Sequence, residues 1–257
     1  MTGDHVHEDR RVRRNQILFI LLIVGLAAAA GLLAFFLPGH TRDLGISVIR
    51  MEGTIVTGDG IGDGYIGSEY VGRQLRNAAD DPMVDAIVLR VNSPGGTPAG
   101  AQEIARDMRY ARDKKPIVVS MGDIATSSAY YVSAYASRIY ADPDTLTGGI
   151  GTSWTFLDIS GWMAAENLSV EVVKSGSRKD MGSQFRALTP EERDYAQEIV
   201  NESFERFITD VLAERPVDRA AIEDARVFRG EQAHEIGLVD EIGNLQDAIA
   251  GAKSLAK

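Results

Sequence analysis

The spacing of apolar positions divides the chain into unlike parts. From Ile17 to Leu37 there is no alternation: ILFILLIVGLAAAAGLLAFFL holds twenty-one residues without a charge. As a helix that run would extend roughly 30 Å, one bilayer core. It therefore predicts a single transmembrane helix. A cleavable signal peptide usually has a shorter apolar region, about 7 to 15 residues, and no small-residue cleavage site closes this one.

Beyond Pro38-Gly39 short apolar runs alternate with amphipathic stretches. ISVIRMEGTIV (Ile46 to Val56) predicts a strand, Gly58 to Gly67 a loop, and Ser68 to Ala79 a helix with Ser68 as its cap. Ala86 to Val91 predicts a buried strand ending in Asn92-Ser93-Pro94-Gly95-Gly96, followed by a helix over 99–113 and a strand over Ile117 to Met121. Residues 138–141 and 170–173 read as further strands. A longer helix runs from Pro190 to Ala213, with Thr189 as N-cap and Pro190 at its first position. The tail, 220–256, is mixed and mostly helical, without repeats. Strands alternating with helices predict an α/β domain with parallel-rich sheets and helical crossovers. The expected organisation is a cytoplasmic tail (1–15), a transmembrane anchor (16–37), a linker (38–44) and one exported domain (45–257).

Charge sets the orientation. Arg10, Arg11, Arg13 and Arg14 precede the apolar run and Arg42 alone follows closely. The positive-inside rule then keeps the N-terminus in the cytoplasm and sends the domain across the cell membrane. A net charge of −10 argues against a nucleic-acid partner. With no cysteine, thiolate catalysis, disulfides and zinc-thiolate sites are excluded.

Histidine is almost as scarce. His5, His7 and His40 belong to or adjoin the membrane appendage, leaving only His234, in a helical context that suits a structural role. There is no G-x-S-x-G elbow, H-E-x-x-H or Walker sequence. Gly62-Asp63-Gly64-Tyr65-Ile66-Gly67 satisfies G-x-G-x-x-G, but Asp59 and Asp63 place negative charge where a pyrophosphate would sit. Two glycine- and hydroxyl-rich turns at strand ends are better placed. Gly95 and Gly96 can turn backbone N–H groups into a cleft, and Thr126-Ser127-Ser128-Ala129 opens a helix with a hydroxyl beside free N–H groups. Neither turn holds the carboxylates that an acyl-CoA hydratase or isomerase would use.

A nucleophilic serine needs a base. With histidine nearly absent, that base is a lysine held neutral. Lys114 and Lys115 lie in a polar turn, and Lys253 and Lys257 in the C-terminal tail, which leaves Lys174 and Lys179. Residue types alone choose neither between these two lysines nor between Ser127 and Ser128.

Five blocks, in order, resemble the signal peptide peptidase A family, a Ser-Lys branch of the Clp-protease and crotonase fold superfamily. They are LRVNSPGG (89–96), KPIVVSMGDIATSSAYYVS (115–133), ADPDTLTGGIG (141–151), KSGSRKDMGSQFRALTPEER (174–193) and RVFRGEQAHEIGLVDEIG (226–243). The resemblance implies a Clp-protease/crotonase-like domain with Ser127 as nucleophile and Lys179 as base. It implies an oxyanion hole of backbone N–H groups at Gly95 or Gly96 and Ser128, and neither metal nor cofactor. It further implies a homo-oligomer acting on signal peptides or other membrane-derived peptides, with Ser and Lys in some arrangements on different subunits. The chain departs from the family pattern at Ser128-Ala129, in place of the usual Gly-Gly. It departs again at Gly149, in place of a hydroxyl that orients the lysine. Thr147, Ser175 and Ser183 are the hydroxyls available instead.

Overall fold

The computed structural model describes residues 25–26 and 45–257. The expected tail, anchor and linker therefore lie outside the described residues, apart from Gly25 and Leu26, which are helical. Among the described residues no helix is long and apolar enough to cross a membrane.

The first half of the domain runs β1 (Ile46–Glu52), β2 (Thr54–Val56), β3 (Ile61–Gly62), β4 (Tyr65–Gly67), α1 (Ser68–Asp80), β5 (Ala86–Ser93), α2 (Pro98–Arg112), β6 (Ile117–Thr126) and α3 (Ser128–Ala134). The second half runs β7 (Arg138–Ala141), β8 (Leu146–Gly148), α4 (Ser160–Ala165), α5 (Pro190–Glu214), α6 (Arg219–Ile222), β9 (Val227–Arg229), α7 (Gly230–Glu235), β10 (Glu241–Ile242) and α8 (Leu245–Leu255). The main sheet has the order β1-β5-β6-β7-β10, with every neighbouring pair parallel.

Strand β5 shows why the sheet is central. Ile87, Leu89 and Val91 point into the large core with Leu75, Ile104, Met108 and Tyr130, while Ala86 and Val88 point the other way, against Ala248 and Ala252 of α8. Successive residues of a strand face opposite sides, so a strand covered by helices on both faces is apolar throughout. The expected α/β architecture with parallel strands and helical crossovers is what the chain adopts.

Four local expectations change. The run 46–56 is two strands, because Gly53 turns the chain at φ +92°, where an added Cβ would meet the Gly64 carbonyl oxygen at 2.5 Å. The glycine-rich stretch is a hairpin rather than a loop: β3 pairs with β4 across Asp63-Gly64, both at positive φ, as a tight two-residue turn requires. Ser68 does not cap α1. The N-cap position is Gly67, and the buried Ser68 hydroxyl donates instead to Glu103 of α2. Finally, 170–173 is in no strand, since no sheet edge is presented to it and Val173 stays 94% exposed.

The long helix begins as expected. Thr189 Oγ1 accepts from Glu192 N at 3.2 Å, and Glu192 Oε2 accepts from Thr189 N at 3.0 Å, a reciprocal cap with Pro190 at the first position.

Candidate active site

Strand β6 outruns its expected end by five residues, and Asn92 explains how. Between Val91↔Met121 and Ser93↔Ala125 the pairing of β5 with β6 shifts, leaving a bulge at 122–124. The Asn92 carboxamide oxygen accepts from Ile124 N at 3.2 Å inside that bulge. Gly122 leaves room for it, since a Cβ there would lie 2.9 Å from the same oxygen. Bulges re-aim strands. The first part of β6 pairs with β7 and the last part, 124–126, with β8.

Ser127 stands at the resulting junction of β6 and α3. Its backbone has φ 55° and ψ −127°, a conformation that L-residues rarely adopt. Two contacts hold it there: Ser127 N donates to Gly148 O at 2.8 Å, and Ser127 O accepts from Tyr131 N at 2.9 Å. A serine on a strained strand-to-helix turn is the shape of a nucleophile elbow, reached here without the G-x-S-x-G sequence.

The Asn92–Gly96 turn lies against this serine. A Cβ on Gly95 would come within 2.8 Å of the Ser127 Cβ and 3.0 Å of Ser128 N. The turn is pinned by Thr126 Oγ1 donating to Pro94 O and Ser128 Oγ donating to Gly96 O, each at 3.0 Å. The Gly95 N–H is used locally, donating to Ser93 Oγ at 3.1 Å. Among the described residues no acceptor meets the N–H of Gly96 or of Ser128, which begins α3. Both residues line the cavity beside Ser127, and N–H groups left without an acceptor are the donors an oxyanion could use. Ser127, Ser128 and Gly96 share a cavity of about 130 Å³ with Ala101, Gln102, Tyr131, Thr152, Ser203 and Phe207. Tyr131 forms part of its wall and is held by Asp210 Oδ2, which accepts from the tyrosine hydroxyl at 2.6 Å. Burial and this carboxylate push the Tyr131 phenol far above its ordinary range, so it stays a proton donor.

No lysine lines this cavity. Lys179 is exposed on a turn within 175–182, and its Nζ has no hydrogen-bond or ion-pair partner among the described residues. The described chain thus does not join Lys179 to Ser127. Lys174 is differently placed: its Nζ is bonded to Asp180 Oδ1 at 2.5 Å and to Ser177 O at 3.0 Å. Its ammonium is thus committed to the Asp180 carboxylate and turned toward that residue, and it lines no part of the Ser127 cavity.

The three candidate orienting hydroxyls do not reach Lys179 within the chain. Thr147 Oγ1 is buried and donates to Ala125 O at 2.8 Å, and Ser183 Oγ accepts from Phe185 N at 3.3 Å. Ser175 makes no side-chain hydrogen bond among the described residues. Gly149 has φ +60° and lies beside Ser127 N, its added Cβ 3.5 Å away. His234, on α7, is exposed with Nδ1 3.2 Å from Val239 O, far in role from a triad. Asp59, just before the glycine hairpin, pairs with Arg73 of α1 at 2.6 Å, tying that stretch to the helix. No group of three or more metal-ligating side chains occurs among the described residues.

The sequence profile of Peptidase family S49 matches residues 109–257, more than half of the chain and all of α3 and the Lys179 turn. The chain belongs to peptidase family S49. It is accordingly a serine peptidase. A protein of Methanocaldococcus jannaschii whose name describes a protease is 33% identical over 252 residues, 93% of this chain and 81% of that protein. A protein of Enterococcus faecium whose name describes a signal peptide peptidase, SppA, is 37% identical over 72% of this chain and 55% of its own length. Among solved structures, a mutant of the 1510-N membrane-bound stomatin-specific protease superposes with a TM-score of 0.52 at 14% identity, covering 81% of this chain and 84% of that one. That likeness shows a shared fold.

Two features of the site lie beyond what the sequence pattern predicts. The pattern places Asn92 only within a turn, although an asparagine before Ser-Pro-Gly-Gly is the residue type that can fill a bulge. It does not predict the ion cluster of Lys174, Asp180, Arg186 and Glu192, for which the alternating charges at 174, 180, 186 and 192 are the available sign.

Proposed function

We propose that this S49 peptidase is a membrane-anchored endopeptidase using a Ser127–Lys179 dyad, and that it degrades signal peptides left in the membrane after preprotein processing. The observation that carries the reading is the strained Ser127, open to a cavity and flanked by the unoccupied N–H groups of Gly96 and Ser128.

In this reading a neutral Lys179 Nζ takes the Ser127 Oγ proton as Oγ attacks the peptide carbonyl carbon. The oxyanion forms between the Gly96 and Ser128 N–H groups, and Gly95 O, accepting from Ile55 N at 2.8 Å, keeps the turn aligned. The lysine ammonium then gives its proton to the departing amine. Water, deprotonated by the same lysine, attacks the acyl carbon; the bond to Ser127 Oγ breaks, the lysine returns its proton to Oγ, and the product leaves as a carboxylic acid that ionises. The lysine is supplied by a neighbouring copy in a homo-oligomer. Supporting this, Lys179 is exposed and absent from the cavity, and the 152–173 region presents Trp154, Leu157, Trp162, Val170 and Val172 to the outside, each between 45% and 65% exposed. Apolar groups so concentrated suit a protein–protein contact. The uncharged run 17–37 anchors the domain on the extracytoplasmic side of the cell membrane, where membrane-derived peptides are at hand.

A fluorophosphonate probe on the full chain in detergent tests the dyad. Wild type should label, while Ser127→Ala and Lys179→Ala should not. Labelling of Ser127→Ala at the wild-type rate would remove Ser127 from the mechanism. Mixing Ser127→Ala with Lys179→Ala subunits should restore labelling if the dyad spans two copies.

A further inference from the structure

The turn that carries Lys179 has little secondary structure, yet it is not loosely held. Asp180, the next residue, is 11% exposed at its side chain and meets two cations. Lys174 Nζ lies 2.5 Å from Oδ1, and Arg186 donates to both carboxylate oxygens at 2.8 and 2.9 Å. The same guanidinium donates to both oxygens of Glu192 at 2.7 Å. Glu192 is itself fixed by the cap of α5. Arg186 therefore forms two bidentate pairs at once, bolting the turn to the first turn of a helix of 25 residues.

Charge matters as much as position. A carboxylate beside a lysine favours the ammonium, which cannot act as base. In the cluster, two cations (Lys174, Arg186) balance two anions (Asp180, Glu192). Other groups facing the turn are Arg178, stacked at 4.5 Å over the Tyr195 ring of α5, and Glu191 of the same helix. Asp158 and Arg193 line the cavity on the far side of Arg186. Arg178 and Asp180 both adjoin Lys179 in sequence, and of these two only Asp180 is a carboxylate.

We propose that Arg186 is a positioning residue for the catalytic base: it anchors the Lys179 turn to α5 and neutralises Asp180, so that the neighbouring lysine can be uncharged at working pH. The proposal rests on Lys179 being the base. The depressed ionisation of Asp180, caused first by Arg186 and then by Lys174, agrees with a carboxylate kept fully charged and fully paired.

The test is the pH dependence of the fluorophosphonate labelling rate on the full chain. Arg186→Gln should label at least about tenfold more slowly near neutral pH, with the midpoint of its alkaline rise moved upward. Arg186→Lys, which keeps the charge and loses the fork, should keep the midpoint near wild type at an intermediate rate. The double variant Asp180→Asn with Arg186→Gln should return the midpoint toward wild type, which a purely structural loss would not do. If Arg186→Gln labels with wild-type rate and midpoint while Lys179→Ala is dead, the role given to Arg186 is wrong. Should Arg186→Gln fold poorly, Arg186→Lys decides, and a midpoint displaced upward in that charge-preserving variant equally overturns the role. Wild-type labelling by Lys179→Ala would instead defeat the dyad itself.

Discussion

Gly95 touches Ser127 so closely that a single added carbon on the glycine would stand 2.8 Å from the serine Cβ. The site is thus built by pressing one strand-end turn against another, and the hydrogen bonds from Thr126 to Pro94 and from Ser128 to Gly96 hold the two together. Gly95→Ala has two faults, a clash with Ser127 and a backbone at φ +107° that alanine adopts poorly. We expect peptidase activity to fall by about 10²-fold or more, the scale of losing an oxyanion donor. Circular dichroism should show the sheet and helices intact. Near-wild-type hydrolysis would mean that the turn does not set the reactive geometry.

The strain at Ser127 makes a second prediction. A non-glycine residue in such a conformation costs about 1–3 kcal/mol, and glycine relieves it. Ser127→Gly should abolish hydrolysis and raise the thermal midpoint above that of Ser127→Ala, which is equally inactive but retains the strain. Equal midpoints for the two variants would show that the turn is unstrained.

Much of this architecture is open to sequence reasoning, and the limits have physical causes. The continuous apolar run of β5 and the cap at Thr189-Pro190 are local properties, and both are readable. The Ser127 turn is visible as chemistry, but its strained backbone is not, because the strain is imposed by Gly148 and by the bulge that Asn92 fills, both distant in sequence. Residues 170–173 mislead because β-branched runs fit a pleated surface only when a neighbouring edge exists. Elimination leaves Lys174 and Lys179 open. The ion pair of Lys174 with Asp180 supplies a physical reason to prefer Lys179, one that depends on a contact six residues away.

Acid should loosen the Lys179 turn before the core. Pairing with Arg186, and then the backbone cap at Thr189, lower the Glu192 pKa from 4.5 to about 2, and Asp180 is depressed further by Arg186 and Lys174. A carboxylate with a lowered folded-state pKa contributes stability that is complete above its unfolded value and is lost as pH falls through the folded one. The contribution is therefore full above about pH 4.5 and disappears toward about pH 2. The chain's two tryptophans, Trp154 and Trp162, report on this region, and Trp154 shares a cavity with Arg186 and Ser183. Their fluorescence should change in that window while far-ultraviolet dichroism from the parallel sheet persists. Arg186→Gln should move the change to higher pH. A single transition seen equally by both signals would argue that the turn has no independent stability.

The cavity beside Ser127 limits what can sit there. The 130 Å³ beside the nucleophile, bounded by Ala101 and Phe207 together with the hydroxyls of Thr152 and Ser203, has room for one side chain of moderate size. Ser203 of α5 stands at its rim, half-buried, with its hydroxyl 3.1 Å from Thr152 Oγ1. Replacing it by leucine fills space from the rim, without overpacking the core that Ala101 and Phe207 share. Ser203→Leu should leave fluorophosphonate labelling of Ser127 within about twofold, since the nucleophile and its donors are untouched. It should lower kcat/KM for a peptide with leucine before the scissile bond by about tenfold or more, about the 1–3 kcal/mol that a pocket can discriminate. A peptide with alanine at that position should be cleaved nearly as before. If both peptides lose equally, or neither does, the cavity is not where the substrate side chain binds.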